Sequence, residues 1–525
     1  NICSLGGPIH DDFFYEKCEM ARENHRRMKA LGMDIVLQAY TGIVPRDIQK
    51  KDREVPVIEQ GKWKGIERPL IVSPDSVHYV KYAKLFYECQ KEVFGDITHF
   101  FAGDVCHEGG KLNKKSAKES FGNVMESMLS FDKDAMWVVQ CWAMNPTPLF
   151  TKSVKQYRDE HILMLDLNAE KINHNANNMA RMAKYGNVLF GLLNNFGGRH
   201  GLFGDLPSLL KDIKATSARP NFKGLALTAE SVNVNPIVTD LFFSCVWEDI
   251  ENIDDWVQEY AIRRYGKENE NIAKAMKILL KTAYGNDTGA LSFGATESMF
   301  CRRPLDPETK MFTARGVVKI PYSKDDFNET VKLFLADYDK FKHNECYVYD
   351  AVDLLRQSIA NKLSHLAKKC ASAYKSKDYF AFMDYSEEML NLADMLDRVL
   401  LNCKDFSFSS YIEPVCEYTE KLDDFTKELY MINAKALITT WYCRLLADKG
   451  NLHDYAHRQM GDLVNSFYKM RWKKLIEQVQ IEMDGGKPQE IDWFKLEWDW
   501  VLSETKYTKK VREDSLKALG KQILQ

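Results

Sequence analysis

Two glutamates in this 525-residue chain have the placement that chemistry needs. Glu108 lies in Phe101–Gly110 (FAGDVCHEGG) and Glu230 in Gly224–Ser231 (GLALTAES). In each, a carboxylate follows an apolar, strand-like run at once or within a few residues. An unpaired charge at a buried strand end is costly, so such residues usually have a reason. From position alone, a salt bridge or a helix N-cap serves as well as a functional role. The functional role would be glycosidic cleavage, which needs two carboxyl groups across one bond: one protonates the leaving oxygen, the other attacks the anomeric carbon or activates water. His107 beside Glu108 raises the question of a metal. There is no H-E-x-x-H spacing and no third ligand in view, and the 12 cysteines show no C-x-x-C pair, so neither a metal nor another cofactor is expected. A histidine bonding the neighbouring carboxylate or a substrate hydroxyl fits better. Asn195–Gly204 (NFGGRHGLFG) is glycine-rich but lacks the G-K-[ST] ending of a phosphate loop and the spacing of a dinucleotide fingerprint. Its glycines either permit positive φ in a tight loop or let backbone approach a ligand. Trp142 reads as packing or as a sugar platform; for Trp441 and Tyr455 packing is the default.

The elements that must hold these residues alternate. Apolar runs at 35–40, 98–104, 136–142, 162–167, 188–195 and 224–229 are short enough for buried parallel strands, and helical stretches such as Tyr15–Leu31, closed by Gly32, lie between them. Such alternation implies a parallel sheet built by crossovers. Polar and aromatic residues (Asp104, Glu108, Trp142, Asp166, Asn194, Asn195, Glu230) gather at the strands' carboxyl ends, as in a (β/α)8 TIM-type barrel. Six strands are counted, two fewer than a barrel needs, with little room for more after 240. Beyond about 250 the pattern turns helical. Asp254–Trp256 opens one helix that ends at Gly266; Val352, Leu355, Ile359, Leu363 and Leu366 form an apolar stripe, continued by Phe382, Met389, Leu392, Leu396 and Val399. The expected organisation is an α/β barrel over 1–250, apparently without its first strands, followed by an all-α domain over 251–525.

Composition narrows the class. With 45% hydrophobic and 28% charged residues the chain is globular, and a net charge of -3 gives no support to a nucleic-acid partner. The lysine run 111, 114, 115, 118 reads as a solvated face. No apolar stretch reaches the length of a membrane span, and no signal peptide opens the chain. The sequons Asn286-Asp287-Thr288 and Asn328-Glu329-Thr330 give weak support to a secretory route.

The sequence resembles the α-N-acetylglucosaminidases of glycoside hydrolase family 89, collinearly over essentially its whole length. The resemblance is carried by Asn1–Ile9 (NICSLGGPI), Leu31–Pro45 (LGMDIVLQAYTGIVP), Asp104–Glu108, Trp137–Trp142 (WVVQCW), Leu165–Leu167 and Asn195–Gly204 (NFGGRHGLFG). It continues through Gly224–Asn235 (GLALTAESVNVN), Tyr260–Gly266 (YAIRRYG) and Asp454–Trp472 (DYAHRQMGDLVNSFYKMRW). It implies exo-cleavage of terminal α-linked N-acetylglucosamine with retention, on glycans such as heparan sulfate, in a lysosomal or secreted setting. Glu108 matches the family's acid/base and Glu230 its nucleophile. Trp142, Trp441, Leu452 and Tyr455 fall where members line the sugar pocket, with His107, Asn195 and His200 as further candidates for substrate binding. The chain departs from the family at His107, where an Asn is usual, at Leu5 for a Trp and at Ile43 for a His. The family also extends upstream of Asn1, so a fragment, a diverged copy or part of a split protein is expected, with another chain supplying the missing strands or a homo-oligomer as conceivable partners. A non-catalytic carbohydrate-binding or structural relative is the alternative reading.

Overall fold

The computed structural model describes residues 11–141, 148–170, 186–231, 235–285, 294–296, 298–304 and 320–525. Its first strand, β1 (Val36–Gln38), leads into five very short strands: β2 (Ile43–Val44), β3 (Val57–Glu59), β4 (Lys62–Trp63), β5 (Ile66–Glu67) and β6 (Leu70–Val72). Five longer-range partners follow: β7 (Phe100–Ala102), β8 (Met136–Cys141), β9 (Ile162–Asp166), β10 (Asn187–Leu192) and β11 (Phe222–Leu227). Strands β1 and β7 to β11 form one six-stranded sheet in the order β1-β7-β8-β9-β10-β11, parallel throughout. Helices Lys114–Phe131, Pro148–Ser153 and Leu206–Ser217 lie between successive strands. The six strands are the six runs expected from sequence, and the arrangement is the α/β, barrel-type architecture that they implied.

Burial explains which runs became central. In β8 the consecutive Trp137, Val138 and Val139 are buried, as expected of a strand covered on both faces, and in β10 Val188, Phe190 and Leu192 bury one face. The two outer strands are wetter: Val36 of β1 is 50% exposed and Leu227 of β11 is 44% exposed. A Cβ at Gly191 would fall 1.9 Å from the Asp166 carbonyl oxygen, so only glycine lets β10 approach β9 there. Between β1 and β7 the chain makes an antiparallel excursion. β6 pairs with both β2 and β3, and β4 with β5 forms a separate hairpin. Strands of two or three residues show no usable periodicity, so this excursion was not visible in the sequence.

The chain forms two compact units, one within Gly7–Leu192 and Asp212–Thr228 and a second within Leu193–Lys211 and Ala229–Gln525. The first holds the sheet and a core of Tyr87, Phe101, Met125, Trp137, Phe150 and Met164. The second is helical. Its longest helix, Glu345–Ser376, buries Val352, Leu355, Ile359, Leu363 and Leu366, the stripe read from sequence. Left-handed Lys377 (φ 60°) ends it, and helix Tyr379–Leu400 returns against it. Helix Ile253–Tyr265 is capped by Asn252 and stops at Gly266 (φ 83°), as its sequence required. Sequon residue Asn328 lies half-buried in helix Lys324–Ala336, accepts from Ser358 Oγ (2.7 Å), and its partner Thr330 is fully buried. That sequon is therefore not an open loop; the sequon at Asn286 lies outside the described residues. Among the described residues no helix is long and apolar enough to cross a membrane.

Candidate active site

Glu108 belongs to the first unit, in the loop after β7. Its carboxylate is exposed, and the Trp63 indole Nε1–H, from the β4–β5 hairpin, donates to Oε2 (2.8 Å). Its backbone is held more firmly. Arg68 donates from Nε (3.0 Å) and Nη2 (2.5 Å) to the Glu108 carbonyl, and from Nη1 to the carbonyls of Gln60 (3.3 Å) and Lys62. Gln60 Oε1 accepts from His107 N–H (2.8 Å) while its Nε2 donates to the Pro69 carbonyl (3.0 Å). The two glycines after Glu108 make room for this clamp: a Cβ at Gly110 would lie 2.4 Å from Gln60 Oε1, and Gly109 has φ +67° with Arg68 Nη2 at 3.1 Å from the same test position. The antiparallel excursion thus exists to grip the loop that carries Glu108.

Beside it opens a cleft of ≈ 470 Å³, lined among others by Tyr40, Ile43, Asp104, Cys106, His107 and Glu108. Desolvation lifts the Asp104 carboxyl to about 6, and burial, with the Asp104 charge, lifts the Cys106 thiol to about 11. His107 packs edge-on against the Trp63 ring (5.9 Å), and its Nδ1 is buried without a partner among the described residues. Among the described residues the one group with metal-ligand spacing is His99, Asp132 and Asp134, at the other end of β7 from Glu108.

Glu230 belongs to the second unit. Its Oε2 accepts two hydrogen bonds, from Gly197 N–H (2.5 Å) and from the Tyr455 hydroxyl (2.7 Å). Gly197 is left-handed (φ +62°), and a Cβ there would sit 2.5 Å from the Tyr455 carbonyl oxygen; at Gly198 (φ +66°) it would sit 2.0 Å from Ser231 Cβ. The positive φ of Gly197 and Gly198 is the first of the two readings of that loop, and it brings backbone onto the Glu230 carboxylate. Arg458 Nη1 donates to the Gly197 carbonyl (2.5 Å). Burial draws the Arg458 guanidinium down to about 10, opposed by Tyr411, Tyr468 and Glu230, so a buried cation shares the Glu230 surroundings.

The model of the alpha-N-acetylglucosaminidase (NAGLU) tim-barrel domain matches residues 1–249, and that of the NAGLU C-terminal domain matches 256–524. The chain belongs to the alpha-N-acetylglucosaminidase family. Human alpha-N-acetylglucosaminidase is 25% identical over 544 residues, covering 98% of this chain and 70% of its own. A Clostridium perfringens enzyme with two Glu-to-Gln substitutions, solved in complex with its substrate GlcNAc-alpha-1,4-galactose, superposes with a TM-score of 0.92 at 34% identity over 99% of this chain. A family 89 glycoside hydrolase of the same organism, in complex with 2-acetamido-1,2-dideoxynojirmycin, gives 0.91 at 34% over 99%. The chain spans 59% and 60% of the length of those two proteins.

Family candidates fall into three sets. Trp441, Leu452 and Tyr455 come together with Glu230: the Trp441 ring meets Tyr455 edge-on (5.2 Å), and Tyr455 N–H donates to the Leu452 carbonyl (3.1 Å). Asn195 and His200 shape the loop. Asn195 donates to the Gly201 carbonyl (3.1 Å) and accepts from Ala295 N–H (2.6 Å). His200 is buried, with Nδ1 on the Gln459 carbonyl (2.9 Å); burial and the nearby Arg458 push it down to about 3, so it stays neutral. Trp142 and Leu5 lie outside the described residues. Of the departures, Ile43 and His107 both line the Glu108 cleft. Trp63, Arg68 and Arg458 were not singled out from sequence; Arg458 lay inside a matching segment, whereas no local signal marked the other two.

Proposed function

We propose that the protein is an exo-acting retaining α-N-acetylglucosaminidase that removes terminal α-linked N-acetylglucosamine by double displacement. Glu230 attacks the anomeric carbon while Glu108 protonates the departing oxygen; Glu108 then takes a proton from water as water hydrolyses the glycosyl-enzyme. The observation that carries this reading is that both glutamates follow strands of the same parallel sheet and each accepts a hydrogen bond from a side chain brought from elsewhere in the fold. Relatives solved with a GlcNAc disaccharide and a GlcNAc-like inhibitor support the substrate class. Heparan-type glycans are the natural extension, in a lysosomal or secreted setting.

The exposed edges β1 and β11 also favour closure by two further β/α units, which would bring the sheet to eight strands. The second reading, a diverged sugar-binding member, is favoured by Ile43 and His107 in the cleft. Hydrolysis of an aryl α-N-acetylglucosaminide, lost in Glu108→Gln and Glu230→Gln, supports the enzyme. Sugar binding without turnover by the unaltered protein supports the second reading instead.

A further inference from the structure

We propose that Tyr455 is a positioning residue for Glu230: its hydroxyl and the Gly197 amide together fix Oε2, so that Oε1 is the oxygen that attacks. This rests on the nucleophile role proposed for Glu230. Both donors converge on one oxygen, at 2.7 and 2.5 Å, and among the described residues Oε1 takes no hydrogen bond. Two donors on one oxygen stop the carboxylate from turning about its terminal torsion, which is otherwise broad and two-fold. Attack on an anomeric carbon depends on that orientation, since aligned reacting groups account for much of the barrier reduction.

The seat of Tyr455 is built to hold it. The preceding residue, Asp454, is fully buried and left-handed (φ 61°), and its two carboxylate oxygens receive Nη1 (3.0 Å) and Nη2 (2.8 Å) of Arg471. Arg471 Nη2 also reaches Glu497 (2.9 Å), whose two oxygens accept from Nε (2.8 Å) and Nη2 (2.7 Å) of Arg303. All of Asp454, Arg471 and Glu497 are at 0% exposure. A buried ion network is weak evidence of stability, because desolvation offsets the attraction. Left-handed non-glycine residues persist only where their surroundings over-determine them, and Trp441 (φ 54°), Asn451 (φ 53°) and Asp454 all lie in this segment. What the network supplies is a fixed backbone at Tyr455, with Gly197 packed directly on its carbonyl.

The test compares kcat/KM on 2,4-dinitrophenyl and phenyl α-N-acetylglucosaminides. Tyr455→Phe, which removes one oxygen, is expected to lower both by a similar factor of about 10–100 without lowering the melting temperature. A disturbed acid/base would instead spare the dinitrophenyl substrate, which leaves without protonation. Wild-type kcat/KM in Tyr455→Phe, or a loss confined to the phenyl substrate, overturns the proposal. Asp454→Asn, assayed where circular dichroism shows it folded, should give the same leaving-group-independent loss; a folded Asp454→Asn with wild-type kcat/KM overturns the role of the seat. If the unaltered protein hydrolyses neither substrate, the functional reading fails. The proposal is then read from a crystal structure of Tyr455→Phe, where a turned Glu230 carboxylate supports it and an unchanged orientation overturns it.

Discussion

Glu108 and Glu230 are the same residue type in opposite settings. Glu108 sits on an exposed loop whose backbone is clamped by Arg68 and Gln60, while its carboxylate carries one indole hydrogen bond. Glu230 has its carboxylate itself held, by an amide and a phenol, with buried Arg458 close by. One glutamate is fixed through its main chain and has an exposed tip that meets one indole; the other is fixed at its tip. That is the division expected of a group that gives and takes protons with solvent and a group that must point one oxygen at carbon.

Substitutions can break this contrast. Glu230→Gln should have the largest effect, on the order of a 10⁴-fold loss of kcat/KM or more, for every leaving group. Glu108→Gln should cost about 10²- to 10⁴-fold on a phenyl substrate and far less on a dinitrophenyl one; equal losses on both would erase the distinction between the two settings. Arg471→Leu strips buried Asp454 and Glu497 of a shared cation. It is expected to destabilise the fold by about 3–5 kcal/mol, read by calorimetry. Asp397, in helix Tyr379–Leu400, is lifted by burial to about 7, against about 3.9 in an unfolded chain. The folded state then binds the extra proton, so this contribution is full below about pH 4 and is lost as pH rises through about 7, up to about 4 kcal/mol in all. Asp397→Asn should flatten the fall in melting temperature over that range; an unchanged slope would remove Asp397 as its source. The smallest effect is expected from Trp63→Phe, which deletes the indole donor on Glu108. About 1 kcal/mol, or roughly fivefold in kcat/KM on the phenyl substrate, is the expected loss.

The sequence disclosed what rests on local pattern. The central strands were legible because β8 to β10 bury most of their residues and so read as short, largely apolar runs, and Gly266 marked a helix end because a left-handed cap needs it. The loop at 195–204 was legible as glycine-rich, and its structural reason is the close approach to Tyr455 and Ser231. What supports the two glutamates was not legible. Trp63, on a two-residue strand, and Arg68, in the link between β5 and β6, lie where no period can show, and they meet Glu108 across 45 and 40 residues. The Asp454–Arg471–Glu497–Arg303 network spans up to 194 residues, and each of its charges, read alone, looks like part of a solvated face. Such long-range pairing leaves no trace in spacing.

The central claim is that Glu230 forms the covalent bond. A slowly turned-over 5-fluoro α-N-acetylglucosaminyl fluoride, incubated with the unaltered protein and followed by peptide mass spectrometry, tests it most directly. The account predicts a single adduct, on the peptide containing Glu230 and absent from Glu230→Gln. An adduct on Glu108 or another residue, or turnover of the reagent with no adduct, would contradict it.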